Sequence, residues 1–158
     1  TTRTAITHGA MAFASNPDQW QRLAADPSLV DSAVEEILRY ATPVLHMRRT
    51  AAADTELAGT SIARGDKVVM WYVSANFDDE RFPDPTRFDV GRSDNVHAAF
   101  GGGGPHFCLG AFLARMEIKV LLEEMLKRGI ALEQTAPETR VASNFVHGIA
   151  AVPMTLAR

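Results

Sequence analysis

The sequence almost completely lacks cysteine, since Cys108 is the only one among 158 residues. A single cysteine excludes a framework of internal disulfides and is typical of a reducing compartment. The sequence also lacks an apolar run close to the roughly 20 residues that a membrane-spanning helix needs, and it lacks a secretory signal. Its net charge of −3 gives no electrostatic reason to expect nucleic acid or an anionic membrane as a partner. These absences predict a cytoplasmic protein without a membrane anchor.

The composition and the residue patterns indicate a globular protein. Hydrophobic residues make up 46% and charged residues 22% of the chain, which suits one domain with a packed core. Apolar spacing and Asn-Pro or Asp-Pro starts predict helices over 1–13, 17–25, 27–40 and 109–127. Runs of β-branched and aromatic residues predict short strands within 47–51, 55–62, 67–72, 130–133 and 152–156, of which 67–72 reads as buried.

The most informative stretch is 100–110, which reads Phe-Gly-Gly-Gly-Gly-Pro-His-Phe-Cys-Leu-Gly. Four consecutive glycines give the backbone conformations closed to other residues, so it can fold close under a bulky group. Cys108 lies at or just before the start of a helix, where backbone N–H groups favour a thiolate. A thiolate between apolar neighbours suits a soft or borderline metal, and haem iron is the leading candidate.

Other interpretations of this stretch remain open on the residues alone. A lone cysteine is commonly a buried, inert thiol. A phosphate-binding loop would need the Gly-Lys-Ser/Thr ending that is missing here, and a zinc site would need a second Cys/His pair at suitable spacing. A thiol-nucleophile enzyme would need a base against Cys108, and His106 is too close in sequence.

The ordered set from Phe100 through the glycines, His106, Cys108 and Gly110 to Ala114-Arg115 resembles the haem-binding loop of soluble bacterial cytochromes P-450. The resemblance covers nearly the whole chain. Phe100 lies eight residues before the cysteine, one more than in most members. This extra glycine resembles a subset that oxidises steroid side chains, branched lipids or terpenoids, and 143–148 (Ser-Asn-Phe-Val-His-Gly) resembles the same subset.

The resemblance implies the cytochrome P-450 fold, mainly α with small β-sheets, and only its C-terminal portion. Residues 1–158 would form a C-terminal fragment of one such domain, because the family's chains are much longer and this one opens within a helix without a methionine. The implied parts are a distal helix end, a Glu-x-x-Arg helix, a β region, a meander, the haem-thiolate loop, a proximal helix and a C-terminal hairpin.

The resemblance also implies a cofactor and the residues that hold it. The cofactor would be haem b, with Cys108 as the axial ligand of the iron and Phe100 and Gly110 in the loop around it. His106 and Arg49 would bind haem propionates, although Arg48 and Arg49 could equally be a solvated pair.

Further residues would serve catalysis and the substrate. Thr1 matches the distal threonine that assists proton delivery, and its alternative role is a simple helix cap. The substrate pocket would include Val44, Leu45, Phe145 and Val146, unless the last two form a plain hairpin tip.

Three charged residues would have a structural role. Glu36 and Arg39 share a helix face and match the pair that locks the proximal core, although Glu-x-x-Arg alone is usually an exposed ion pair of small value. Arg87 would join this pair, with Arg81 as its competitor.

The function implied is a haem-thiolate monooxygenase that hydroxylates an apolar substrate, namely a steroid side chain, a branched fatty acid or a terpenoid. It would use O2 and two electrons from a ferredoxin with its NAD(P)H-dependent ferredoxin reductase. Arg115 and Lys119 would face the ferredoxin or be merely solvated. The alternative is a haem-binding sensor or scaffold without turnover, which need not keep a distal acid and threonine.

Overall fold

The computed structural model of the protein describes residues 1–157. Five α-helices and eight short strands occur within this range, in the following chain order: α1 Thr2–Ser15, α2 Pro17–Ala25, α3 Val30–Ala41, β1 His46–Thr50, β2 Thr55–Leu57, β3 Thr60–Ile62, β4 Lys67–Trp71, α4 Tyr72–Asn76, α5 Ala111–Lys127, β5 Ala131–Gln134, β6 Thr139–Arg140, β7 Ile149–Ala151 and β8 Met154–Ala157. A 3-10 turn, Pro27–Leu29, precedes α3. The expectation of a mainly α fold with small β-sheets is confirmed.

The strands of the described chain form four antiparallel pairs, namely β1–β4, β2–β3, β5–β8 and β6–β7. The register between β1 and β4 sets Arg49 opposite Val68. The prediction that 67–72 forms a buried strand is partly wrong, because exposed and half-buried residues alternate along β4. Alternation of this kind is expected where a two-stranded sheet packs on one side only.

The core lies where α1, α3 and α5 pack together. Gly9 allows α1 to approach α3 closely, since a Cβ at this position would lie 3.0 Å from Ile37 Cγ2. The irregular segment 77–110 closes another side of this core, where Phe88 stacks edge-on against Phe13 with ring centroids 5.2 Å apart. Burial of each such large apolar side chain contributes about 1.5–3 kcal/mol to folding. The three helices therefore form a rigid base for the glycine-rich loop.

Candidate functional site

The glycine-rich loop folds back on itself before α5. Gly101, Gly103 and Gly104 have φ values of 88°, 92° and 73°, a left-handed region that residues with a Cβ rarely adopt. The turn brings the Cys108 N–H within 3.0 Å of the Phe100 carbonyl oxygen, to which it donates a hydrogen bond. Cys108 is thereby fixed three residues before the first residue of α5, Ala111, with its side chain exposed.

A cavity of about 170 Å³ lies beside this thiol. Five of the residues that were predicted from the sequence to belong to the functional site line this cavity, namely Thr1, Val44, Phe100, Cys108 and Gly110. The two predicted propionate ligands, Arg49 and His106, are exposed and lie outside its lining. The cavity therefore joins the start of α1, the segment after α3 and the glycine-rich loop.

Thr1 occupies the cap position of α1, but its side chain makes no capping hydrogen bond. The Thr1 carbonyl oxygen accepts from the Ala5 N–H at 2.9 Å, in the first hydrogen bond of the helix. The Thr1 hydroxyl therefore makes no capping contact in this structure, and Thr1 lines the cavity beside Cys108.

The surroundings of Cys108 fit a haem. A Cβ at Gly110 would lie 4.0 Å from Cys108 Sγ, so glycine leaves the space beside the sulfur open. The large side chains around it present an exposed apolar surface, formed by Phe107, Leu109, Phe112 and Leu113. Within residues 1–157 no three His, Cys, Asp or Glu side chains converge into a metal site. One sulfur donor on an apolar surface suits a metal whose other ligands come from a flat, apolar macrocycle.

The Glu36–Arg39 pair is fully buried. Arg39 Nε and Nη2 donate to the two Glu36 carboxylate oxygens at 2.8 Å each, and both side chains have no exposed surface. Arg39 Nη1 also donates to the Asn76 and Pro85 carbonyl oxygens. A buried pair of this kind is costly to break, because the remaining charge loses its partner.

Arg92 is the second arginine of this cluster, so the prediction that Arg87 joins the pair is wrong. Arg92 Nε donates to Glu36 Oε2 at 3.2 Å, and its side chain is only 9% exposed. Arg87 is 60% exposed and its guanidinium lies 3.8 Å from Asp89. Only the main chain of Arg87 takes part, since its carbonyl oxygen accepts from Arg39 and Arg92. The competitor Arg81 pairs instead with Asp94 on the surface.

Two asparagines complete the cluster, and sequence reasoning did not identify them. Asn95 Nδ2 donates to Glu36 Oε2 at 3.0 Å. Asn76 Nδ2 donates to Thr42 Oγ1, and Asn76 Oδ1 accepts from the Ala98 N–H at 2.7 Å. The second contact ties the cluster to the segment just before the glycine run. No local pattern marks these residues, because their partners lie far away in sequence.

Glu35, beside Glu36, points to a different set of partners. Its oxygens accept from Arg115 Nε at 2.6 Å and Nη2 at 2.8 Å, and His97 Nε2 lies 3.1 Å from Oε2. Partial burial opposes ionisation, but the hydrogen bonds from His97 and Arg115 outweigh it and lower the pKa of Glu35 to about 2. The His97 side chain is only 2% exposed, so it is a buried structural partner of Glu35.

The C-terminal turn, residues 143–148, contacts the segment 42–45 that follows α3. Val44 and Val146 form an antiparallel bridge, and the Leu45 N–H donates to the Phe145 carbonyl oxygen at 2.9 Å. All four predicted pocket residues therefore lie in one pair of extended segments. Val44 also lines the cavity beside Cys108, which connects this pair to the thiol.

Two histidines fasten the same turn to the helices. His8 Nε2 lies 2.8 Å from the His147 carbonyl oxygen, and His147 Nδ1 lies 2.8 Å from the Ala41 carbonyl oxygen. Burial lowers the pKa of His8 below its ordinary 6.5, although its hydrogen bond to His147 opposes this. His8 is therefore held as a neutral donor between α1 and the turn.

Comparison with known proteins decides the family. The family model for cytochrome P-450 matches residues 12–145. The chain belongs to the cytochrome P-450 family. A cytochrome P-450 from Novosphingobium aromaticivorans has the same fold, with a TM-score of 0.95 and 43% identity over 99% of this chain and 40% of that chain.

Curated relatives of this cytochrome P-450 chain are bacterial hydroxylases and monooxygenases. A methyl-branched lipid omega-hydroxylase of Mycobacterium tuberculosis is 50% identical over 156 residues, which are 98% of this chain and 36% of the relative. A linalool 8-monooxygenase of Pseudomonas putida is 45% identical, over 94% of this chain and 36% of the relative. A steroid C26-monooxygenase of Rhodococcus jostii is also 45% identical, over 94% of this chain and 31% of the relative. The chain spans about a third of the length of these proteins.

The expected likeness to the subset that oxidises steroids, lipids or terpenoids is confirmed by these relatives. None of the helices within residues 1–157 is long and apolar enough to cross a membrane.

Proposed function

We propose that the protein is a haem-thiolate monooxygenase that hydroxylates an apolar substrate. The observation that carries this proposal is the exposed Cys108 thiol at a cavity that Thr1 and Val44 also line. An axial thiolate, a hydroxyl and an apolar wall are the groups that the reaction needs close together. A sensor that only binds haem would not need the hydroxyl.

The roles of the residues follow from their chemistry. The cofactor is haem b, which when bound supplies the oxidising chemistry. Cys108 ligates its iron, and Phe100 and Gly110 shape the loop that holds the sulfur. Arg49 and His106 bind the haem carboxylates as charged or polar donors. Thr1 delivers protons, whereas Val44, Leu45, Phe145 and Val146 exclude water and orient the substrate.

The substrate is an aliphatic molecule with a branched end: a branched fatty acid, a steroid side chain or a terpenoid. The printed names of the three relatives support this class, since they act on a methyl-branched lipid, linalool and a steroid. O2 is the second substrate, and a ferredoxin with its NAD(P)H-dependent ferredoxin reductase supplies two electrons in the cytoplasm.

The test is the carbon-monoxide difference spectrum of the reduced protein. Because the chain spans about a third of its relatives, it is measured on a hybrid in which this chain follows the N-terminal part of the lipid hydroxylase. We expect a Soret band shifted by thiolate ligation, and loss of this band in Cys108→Ser. A folded, haem-loaded hybrid that shows only the band of an imidazole-ligated haem would contradict the proposal.

A further inference from the structure

Two adjacent carboxylates on α3 leave the helix in different directions. Glu36 binds Arg39 and Arg92 in the buried cluster, whereas Glu35 binds Arg115 and His97. The first set stabilises the meander, which comprises the irregular residues 77–99 before the glycine-rich loop. The second set, Glu35 with Arg115 and His97, has no part in the function proposed above, although it lies directly beside the glycine-rich loop.

The hydrogen bonds around Glu35 form a connected set with defined donors. Arg115 donates to both oxygens of Glu35, in the forked geometry that fixes a guanidinium plane. His97 Nδ1 accepts from the Ala99 N–H at 3.2 Å, so its Nε2 carries the proton and donates to Glu35. Both partners of Glu35 are therefore held in one orientation.

Both partners also contact Phe100. The Arg115 Cζ lies 4.5 Å from the centre of the Phe100 ring, and the His97 and Phe100 ring centroids are 5.9 Å apart. The carbonyl oxygen of Phe100 accepts the hydrogen bond from the Cys108 N–H. The contacts thus run without a gap from Glu35, through Arg115 and His97, to Phe100 and the main chain of Cys108.

Electrostatics links the same residues. The hydrogen bond with Glu35 raises the pKa of Arg115, burial opposes this, and the charges of Glu35 and Cys108 add to the rise. The guanidinium is therefore held as a charged group by the carboxylate of Glu35. Without Glu35, Arg115 would lose the partner that keeps it over Phe100.

We propose that Glu35 is a positioning residue for the axial thiolate, which it controls by fixing Arg115 and His97 against Phe100. This inference rests on the proposed function, since it concerns the thiolate in its ligating state. Glu35 is not among the residues that line the cavity beside Cys108, so its effect on the thiolate is indirect.

A simpler role for Glu35 would be to hold α3 against α5. The chain offers a matched control, because Asp31 on α3 binds Lys119 on α5 at 2.6 Å, one turn away on both helices. This pair joins the same helices but does not contact the loop. A substitution of Asp31 therefore measures the effect of losing an ion pair between α3 and α5 without disturbing the contacts to Phe100.

The experiment compares Glu35→Gln with Asp31→Asn in the haem-loaded hybrid. The measured quantity is the rate at which the thiolate-type carbon-monoxide band converts to the unshifted band in mild urea. Because Glu35→Gln removes the charge from a forked hydrogen bond to Arg115, we expect conversion to become roughly tenfold faster or more in this variant. We expect little change in Asp31→Asn.

The charge swap Glu35→Arg with Arg115→Glu separates the two roles. It restores an ion pair between the helices but removes the guanidinium from Phe100 and sets an anion near the sulfur. We expect the swap to recover thermal stability while band conversion stays fast. Recovery of both quantities, or equal conversion rates in Glu35→Gln and Asp31→Asn, would overturn the inference.

The outcomes also distinguish this inference from the proposed function. A parent hybrid that holds haem without a thiolate band would overturn the proposed function, and the inference with it. A parent with the band, but without sensitivity to Glu35, would overturn only the inference. If Glu35→Gln fails to hold haem, Glu35→Asp gives the same comparison, because it keeps the charge and shortens the reach.

Discussion

At the scale of single residues, two arginines five positions apart in the meander have opposite surroundings. Arg92 donates to Glu36 and to the Pro83, Asp84 and Arg87 carbonyl oxygens. Arg87 extends into solvent beside Asp89. Arg92→Ala should therefore lower the free energy of unfolding by about 3 kcal/mol, since it removes a partner of a buried carboxylate. Urea denaturation of the haem-loaded hybrid measures this loss.

Arg87→Ala is the matched control for Arg92→Ala, because an exposed pair contributes below about 1 kcal/mol. Its main-chain carbonyl, which accepts from Arg39 and Arg92, is unchanged by the substitution. An equal loss of stability in the two variants would mean that Arg92 does not complete the buried cluster in solution.

Thr1 allows a second prediction, which concerns catalysis rather than stability. Because its hydroxyl does not cap α1, Thr1→Ala should leave haem binding unchanged. The rate of product formation should fall by about 100-fold, the lower end of the rate enhancement that a positioned proton donor contributes. Thr7→Ala on the same helix is the control, since the Thr7 hydroxyl donates to the Arg3 carbonyl. Full turnover in Thr1→Ala would remove Thr1 from the catalytic residues.

Sequence reasoning succeeded for residues whose environment is local. The position of Cys108 just before α5 follows from the glycine run and from the helical spacing after it, both of which are local patterns. The partners of Glu35 could not be predicted, because Arg115 lies 80 positions away along the chain. Arg92 was missed for a related reason. The meander has no period, so spacing alone does not determine which arginine turns inward.

At the scale of elements, the C-terminal turn and the segment after α3 behave as one unit. The Val44–Val146 bridge and the bond between the His147 N–H and the Pro43 carbonyl oxygen hold them together. His8 joins this unit to α1, through a ring that lies 4.2 Å from the His147 ring, centroid to centroid. The pocket wall is therefore fastened to the helix that carries Thr1.

His8 gives this unit a dependence on pH. Burial comes first among the causes that lower its pKa below 6.5, the charges of His147 and Arg140 add to it, and the His147 carbonyl and Glu138 oppose it. The unfolded chain therefore binds the proton more readily than the folded one, so stability present above pH 6.5 is lost as the pH falls below it. Unfolding free energies measured across pH 5–7.5 should show this decline in the parent hybrid.

His8→Gln tests the assignment, because the amide still donates to the His147 carbonyl but does not titrate in this range. We expect the decline of the unfolding free energy below pH 6.5 to become shallower in this variant. An unchanged pH dependence would show that His8 is not the group responsible.

Elements differ in how well the sequence predicts them. Both ends of α2 follow from Asn16-Pro17 and Asp26-Pro27, where a proline can begin a helix but not continue one. Pro27 begins the 3-10 turn that precedes α3. The burial of β4 was overestimated, since a short apolar run does not tell whether a second layer covers the strand. The pairing of Val44 with Val146 depends on the path of the whole chain, and no local pattern encodes it.

At the scale of the whole molecule, the described chain exposes an unusually large apolar surface. Leu109, Phe112, Leu113 and Met116 are all exposed on and just before α5, and Trp71 and Phe145 are exposed elsewhere. Contiguous apolar patches above a few hundred Å² are rare on stable monomers. The chain also spans about a third of its relatives, so its own contacts satisfy only part of what such a domain buries.

We therefore expect residues 1–158, produced alone and without haem, to aggregate or to stay loosely folded. The physical reason is that exposure of these apolar side chains to water is unfavourable. The core formed by α1, α3 and α5 would have to offset this cost alone, because no further part of the domain covers the surface. Calorimetry should show no single cooperative transition, and a dye that binds exposed apolar surface should fluoresce strongly. The haem-loaded hybrid is the control and should give a sharp transition with little dye binding. A cooperative transition of the isolated chain would mean that the three-helix core is sufficient for folding, and that the exposed face around Cys108 is tolerated by a stable unit.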